Sequence, residues 1–283
     1  MAELFKKKIT LGVVGAGRVG TTLASMFRNT EANVEFVTAT SRERALEAVQ
    51  FIGEGEPLPY QAGKEIAKFP SVSVLLLTPR DDLLPFIARE VAASSDDWNS
   101  CVVLHSSGAT PVEVLQVFSE KGAHVGILHP CYPICEPMKE LPKDGSVTFS
   151  FTGEDALFSE VKNFAREWGV NLIRAEGIKR EVYHAGLMFS AGHLGALLAE
   201  AEDLLRASGL DAKNARATML SVAGGVLNNL SNDAGVHKTL TGPFARGDKE
   251  LIAKQREIIQ TLSPDARAIY DLLGEQISKR TSK

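Results

Sequence analysis

Three glycines spaced as Gly15-Ala16-Gly17-Arg18-Val19-Gly20 follow an apolar, strand-like run and open a helical stretch. That arrangement suits the pyrophosphate of a dinucleotide. Gly15 makes the tight turn, Gly17 lets the backbone approach the phosphates, and Gly20 permits close helix–strand packing. The free amides and dipole at the helix start then hold the negative charge. A second group of residues suits proton movement. His129 ends the run Ile127-Leu128-His129-Pro130, while Tyr183 and His184 open a long helical segment. Imidazole exchanges protons near neutral pH because its unperturbed pKa is about 6.5. Ser106 and Ser107, in Leu104-His105-Ser106-Ser107-Gly108, could bond a substrate carbonyl or carboxylate, or cap the next helix. The alternatives for His129 and for Tyr183-His184 are a hydrogen-bonded structural histidine and a polar first turn at a domain interface.

In NAD-specific proteins an acidic residue about 20 positions after the glycine loop bonds the ribose hydroxyls. Here the second strand ends Ala39-Thr40-Ser41-Arg42-Glu43-Arg44, with no acid at its tip. Ser41 and Arg42, with Arg44 near, suit a 2′-phosphate, which points to NADP over NAD. Thr78 and Pro79, after the third strand, are expected to wall the cofactor cleft, and Asp81 to cap a helix. His129, Cys131 and Cys135 do not match zinc-ligand spacing, since Pro130 and Pro133 interleave and no downstream pair follows. No metal is expected.

The elements that must position these residues alternate short β-branched runs with amphipathic stretches up to about residue 177. The runs cover residues 9–14, 34–39, 72–77, 101–104, 124–128, 147–151 and 172–174. Most are apolar on both faces, as in a sheet covered by helices on both sides. Beyond residue 178 the pattern is helical, over 179–208, 211–230, 249–261 and 264–279, with a turn-rich segment at 231–248. The expected fold is therefore α/β: a Rossmann-type, mostly parallel sheet domain over 1–177, then an all-α domain over 178–283. The helical domain is expected to complete the substrate site and to form the main contact of a homodimer. His129 and His184 are expected to approach the nicotinamide end of one cleft from opposite domains. The segment Leu240-Thr241-Gly242-Pro243-Phe244-Ala245-Arg246-Gly247-Asp248 either lines that cleft or pins the last helices.

With 283 residues, 44% hydrophobic and 23% charged, the chain has globular composition. A net charge of -4 disfavours a protein whose main partner is nucleic acid or anionic lipid, leaving a small molecule as the expected partner. No apolar run reaches the roughly 20 residues of a membrane span, and the first residues carry no signal-peptide core. Three cysteines are too few for a disulfide framework. The expected location is the cytoplasm.

Taken together, the glycine loop, the Ser41-Arg42-Glu43-Arg44 tip, His105-Ser106-Ser107-Gly108-Ala109, His129-Pro130, Tyr183-His184-Ala185 and the 240–248 segment resemble a known bacterial group. Its members join a Rossmann-like domain to a C-terminal domain of unknown function and are described as candidate NADP oxidoreductases. The architecture is more distantly similar to ketopantoate reductase, pyrroline carboxylate reductase and the β-hydroxyacid dehydrogenases of the 6-phosphogluconate dehydrogenase superfamily. The resemblance implies NADP, a small carbonyl, imine or hydroxyacid substrate, and dimerisation through the helical domain. His129-Pro130 also resembles the histidine-proline pair of prephenate dehydrogenases, where the histidine acts on the substrate hydroxyl. Two departures stand out. The catalytic lysine of β-hydroxyacid dehydrogenases has no counterpart on the helix after residue 183, and Gly192 replaces the asparagine that usually follows the Tyr-His pair. The competing expectation is a non-catalytic sensor that keeps the cofactor fold without turnover.

Overall fold

A computed structural model describes residues 8–64, 69–232 and 235–281. The first seven residues, read above for a leader, lie outside these, as do residues 233 and 234 of the turn-rich segment. The chain divides into two compact units, Met1–Leu187 and Met188–Lys283.

The first unit is built on one eight-stranded sheet. Its strands are β1 (Thr10–Val14), β2 (Asn33–Ala39), β3 (Glu56–Pro59), β4 (Val74–Leu77), β5 (Val102–His105), β6 (His124–Pro130), β7 (Thr148–Gly153) and β8 (Asn171–Arg174). They are ordered 3-2-1-4-5-6-7-8. The strands from β3 across to β6 are parallel; β7 runs antiparallel to β6, and β8 parallel to β7. The α/β reading holds, with the switch of strand direction at β7. The helices of this unit are α1 (Arg18–Asn29), α2 (Arg42–Ile52), α3 (Leu84–Ala93), α4 (Gln116–Ser119), α5 (Asp155–Trp168) and α6 (Arg180–Met188). Strands β4 and β5 are buried at every position, the mark of a sheet packed on both faces. Leu11, Val13, Leu23, Phe27, Phe149 and Trp168 fill one face, and Val14, Phe36, Leu77, Leu84, Val103 and Phe118 fill the other.

β3 is absent from the sequence reading. Its two prolines, Pro57 and Pro59, remove ladder donors, and the segment survives as a strand because it lies at the sheet edge. Asp81 does not cap a helix. The residue at the cap of α3 is Leu83, and that cap has no side-chain hydrogen bond. The contact pattern also keeps α6 with the sheet, beyond the boundary placed at residue 177. His129 and His184 consequently belong to one unit rather than to two.

The second unit holds a π-helical turn (Phe189–His193), α7 (Leu194–Ala207), α8 (Ala212–Ser231), α9 (Val236–Thr239), α10 (Pro243–Arg246), α11 (Lys249–Leu262) and α12 (Pro264–Thr281). Asp211 and Asp248 cap α8 and α11, accepting from the amides of Asn214 and Leu251. The 240–248 segment pins the last helices. The Phe244 ring packs edge-on against Tyr270 at 5.0 Å, and the Phe244 carbonyl accepts a hydrogen bond from Ser278. The helical run Arg180–Ala207 spans 28 residues, and its most apolar window has a mean hydropathy of 1.2. By length and composition it reaches what a bilayer crossing needs, which corrects the expectation that no segment does. Its many Ala residues raise the mean hydropathy without forming an unbroken run of large apolar side chains.

Candidate active site

Because β1, β4, β5 and β6 run parallel, their carboxyl ends share one edge of the sheet. That edge gathers the glycine loop after β1, Thr78 and Pro79 after β4, Ser106 and Ser107 after β5, and His129 near the end of β6. In open α/β sheets ligands bind at this edge, at the point where strand order reverses. Here the reversal falls between β1 and β4.

The loop is built as its glycines require. Gly15 sits at φ +107°, and a Cβ there would meet the Pro79 amide nitrogen at 2.8 Å. A side chain at Gly20 would collide with the Thr78 hydroxyl, which donates to the Gly15 carbonyl at 2.6 Å. Gly17, by contrast, has open space where a Cβ would stand, and it precedes α1 with no side-chain cap. Room for a ligand and an uncapped helix start therefore coincide. Arg18 reaches across to donate to the Cys135 carbonyl at 3.2 Å.

A groove of about 700 Å³ beside the loop is lined by Ala16, Gly17, Arg18, Arg44 and Phe51, among others. Arg42 is exposed on the first turn of α2 and does not line this groove. Ser41 caps α2, its hydroxyl accepting from the Arg44 amide at 3.3 Å. Val19 is partly buried against the core.

Of the two serines, Ser107 is engaged in its own turn, accepting from the amides of Ala109 and Thr110 and bonding the Thr110 hydroxyl at 2.9 Å. Ser106 remains half-buried beside it.

A polar cluster lies across β5, β6 and β7. His105 pairs with Ile127, Ile127 with Thr152, and His129 with Ser150. Directly paired residues, and residues two apart on a strand, project from the same face. His105, His129, Ser150 and Thr152 therefore share one face. Helix α6 meets it with Arg180, Tyr183 and His184, whose i, i+3, i+4 spacing puts all three on one side of the helix. The Tyr183 hydroxyl donates to Ser150 Oγ at 2.9 Å and lies 3.0 Å from Cys131 Sγ. It stands 3.5 Å from His129 Nδ1, which itself lies 3.6 Å from Cys131 Sγ. On the other side of the imidazole, Gly108 leaves no room for a side chain, since a Cβ would approach Nε2 to 2.9 Å.

Electrostatics follow from burial. Desolvation first, then the charges of His184 and Arg180, pull His129 down to about 4. His105, buried outright, also falls to about 4, mainly by desolvation. Burial and the Cys131 contact push the Tyr183 phenol up to about 12. At neutral pH His105 and His129 are neutral imidazoles and Tyr183 is a protonated phenol. His184 is half-buried and close enough to His129 for its charge to be felt there.

Residues 1–130 match a Rossmann-like domain and residues 147–277 match a domain of unknown function, DUF2520. The two matches follow one another along the chain, a Rossmann-like domain and then a DUF2520 domain. No curated protein matches the sequence. Among solved structures, a candidate NADP oxidoreductase from Bacteroides fragilis superposes with a TM-score of 0.77 at 17% identity, covering 96% of this chain and 98% of that one. A reductive aminase from Aspergillus terreus, in complex with NADPH and ethyl-5-oxohexanoate, gives 0.63 at 16% identity, over 96% and 94%. A pyrroline-5-carboxylate reductase from Coxiella burnetii gives 0.59 at 12%, over 96% and 99%. At these identities the likeness is one of fold.

The sequence reading names His129, His184, Tyr183, Ser106 and Ser107 but not Cys131, Ser150 or Arg180. Cys131 is weighed there only as a metal ligand. Ser150 had a legible signal: in Thr148-Phe149-Ser150-Phe151-Thr152 the hydroxyls alternate with phenylalanines in a strand covered on its apolar face. Arg180 stands one helical turn before Tyr183, which is the only sequence hint of it.

Proposed function

We propose that this protein is an NADP-dependent oxidoreductase acting on a small carbonyl, imine or hydroxyacid. The observation that carries the reading is the shared sheet edge, where an open glycine loop and a proton-moving cluster end the same set of parallel strands. The fit to a dinucleotide rests on the open space at Gly17, the uncapped start of α1 and the absence of an acid at the tip of β2. Gly15, Ala16, Gly17, Arg18, Val19 and Gly20 hold the pyrophosphate, Thr78 and Pro79 wall the cleft, and Ser41 and Arg42 with Arg44 take the 2′-phosphate. The bound nicotinamide supplies or accepts a hydride.

The chain's own residues handle the proton. Tyr183, held by Ser150 and Cys131, gives its phenolic proton to the oxygen or nitrogen that gains electrons in reduction, and takes one back in oxidation. A phenol near 12 holds its proton at neutral pH and can give it to a group that becomes strongly basic as charge develops, whereas an imidazolium at about 4 is nearly unpopulated there. His129 acts as the neutral partner that orients the phenol and the substrate, with His184 close beside it. Ser106 bonds the substrate, while Ser107 shapes the loop beneath it. The names of the structural neighbours, which include an NADPH-bound reductive aminase and a pyrroline-5-carboxylate reductase, favour C=N or C=O reduction. NADPH oxidation measured against ketoacids, hydroxyacids and cyclic imines tests the reading. Inactivity across that panel with tight NADP binding would leave the sensor instead.

The helical unit is proposed to pair with a second copy of the chain, since its long helices bury few of their own side chains. The cytoplasm is the proposed location, in keeping with three free cysteines.

A further inference from the structure

The Arg180 side chain is an anomaly in the first unit. Its residue is only 8% exposed, yet none of the ion pairs among the described residues involves it. Nη2 donates to the Thr152 hydroxyl and to the Ala175 carbonyl, while Nη1 is buried with no hydrogen-bond partner. A guanidinium is charged at any physiological pH, so the cost of burial cannot be relieved by shedding its proton. Burial does pull it below its ordinary value; Tyr183 first, then Glu113 and Glu176, offset this, and neither carboxylate forms an ion pair with it. Arg180 acts on both His105 and His129, and His105 Nε2 is likewise buried without a hydrogen bond, although the Pro111 carbonyl lies near enough to favour its charged form.

We propose that Arg180 is the anchor for a substrate carboxylate, which makes the substrate of this site an oxo or imino acid rather than an uncharged ketone or imine. The clause about the substrate rests on the oxidoreductase reading; the anion site itself does not. Arg180 and Tyr183 lie one turn apart on α6, so a carboxylate on the guanidinium leaves the carbon next to it within reach of the phenol. That spacing matches a 2-oxo or 2-imino acid, in which the reacting carbon adjoins the carboxylate. A monoanion is favoured over phosphate because it balances a single buried positive charge through one remaining donor edge. Nη1 is closed to solvent, so the anion enters as the turn before α6 gives way; Gly177, at φ +67° with open space around it, stands in that turn.

The experiment uses the full-length protein with pyruvate, methyl pyruvate and inorganic phosphate as probes, read by calorimetry and melting temperature at matched ionic strength. Pyruvate is expected to bind and to raise the melting temperature, methyl pyruvate to do neither, and phosphate to bind more weakly. Arg180→Met should cut pyruvate affinity about 30-fold or more, the scale for losing one partner of a buried charge pair, with NADP affinity unchanged. Arg180→Lys, which keeps the charge and loses the fork, should retain part of the pyruvate effect. Arg180→Met should also melt no lower than the wild type without probe, because it removes an uncompensated buried charge. Equal binding of acid and ester, preference for phosphate, or undiminished pyruvate binding in Arg180→Met would each overturn the proposal. If pyruvate binds as expected but no oxo acid is turned over, the anion site stands and the oxidoreductase reading falls. If uncharged carbonyls are reduced while pyruvate fails to bind, the reverse holds.

Discussion

The two units differ in what they bury. In the first, whole strands are closed off and the glycine loop and the Tyr183 cluster rest on a sheet with a filled core on each face. In the second, α7 has no buried residue, and among the long helices' described residues only Ala215 and Met219 of α8, Ile252 and Ile259 of α11, and Ala266 and Gly274 of α12 are buried. Large side chains such as Leu220, Val222, Ile258 and Leu272 are more than half exposed. A helix gains most of its stability from packing its apolar face, so these helices look for cover while the sheet does not. The proposed chemistry thus rests on the unit with the filled core, and the proposed self-association on the unit where apolar surface is left over. Substitutions in the two units should separate accordingly.

The largest expected effect is on stability in acid, and it comes from the first unit alone. His105 and His129 are pulled from about 6.5 to about 4, so the folded chain resists protons that the unfolded chain accepts. Stability from this source is whole above about pH 6.5, is lost as pH falls, and stops falling below about pH 4. Each histidine contributes about 3 kcal/mol to that loss, with the two titrating as a pair. Melting curves between pH 7 and 4 should show a steeper decline for the wild type than for His105→Gln/His129→Gln. Parallel curves would mean that neither imidazole is held neutral by burial.

Next in size is turnover. Tyr183→Phe should lower kcat roughly 100-fold or more and leave NADPH binding unaltered, the scale for losing an acid–base group. His129→Asn should also lower kcat, with the pH profile losing no limb near neutrality because His129 does not titrate there. A loss confined to KM would move the proton step away from this cluster.

The second unit answers to a different measurement. Light scattering should give about twice the 30.5 kDa of one chain, and Leu220→Glu/Val222→Glu on α8 should weaken self-association by about 30-fold or more. Burying those two side chains is worth about 1.5–3 kcal/mol each. Turnover per folded protomer should fall less than with Tyr183→Phe. A single-chain mass in the wild type would leave the exposed leucines and valines without the cover assigned to them.

Much of the first unit was legible because strand periodicity, the glycine spacing and the β2 tip are local signals. β3 was not, since Pro57 and Pro59 read as a turn until a neighbouring strand supplies the pairing. The cluster at Tyr183 was half legible. Residue type singled out His129 and Tyr183, but that Ser150 and Cys131 hold the phenol depends on β7 turning antiparallel beside β6, which no local pattern encodes. Arg180 was hidden for a related reason: before Tyr183 it reads as an ordinary charged helix start, and only the fold buries it.

The smallest expected effect sharpens the comparison from within the first unit, at its outer wall. NADP should bind at least about tenfold more tightly than NAD, because the β2 tip lacks the acid that would bond ribose hydroxyls and repel a 2′-phosphate. Tenfold is about 1.4 kcal/mol, within the reach of one charged hydrogen bond to phosphate. Two arginines compete for that role. Arg42 follows Ser41 directly and extends from the first turn of α2, whereas Arg44 lines the groove that also contains Ala16, Gly17 and Arg18. A 2′-phosphate lying in the groove should therefore depend more on Arg44. One lying over the helix start should depend more on Arg42, with the Ser41 hydroxyl still free to donate while it accepts from the Arg44 amide. Calorimetry of Arg42→Ala and Arg44→Ala with both cofactors separates these. The ratio of NADP to NAD affinity should collapse in at least one variant, with NAD affinity itself unchanged. Equal affinities in the wild type, or a ratio untouched by both substitutions, would end the assignment of the β2 tip to phosphate recognition.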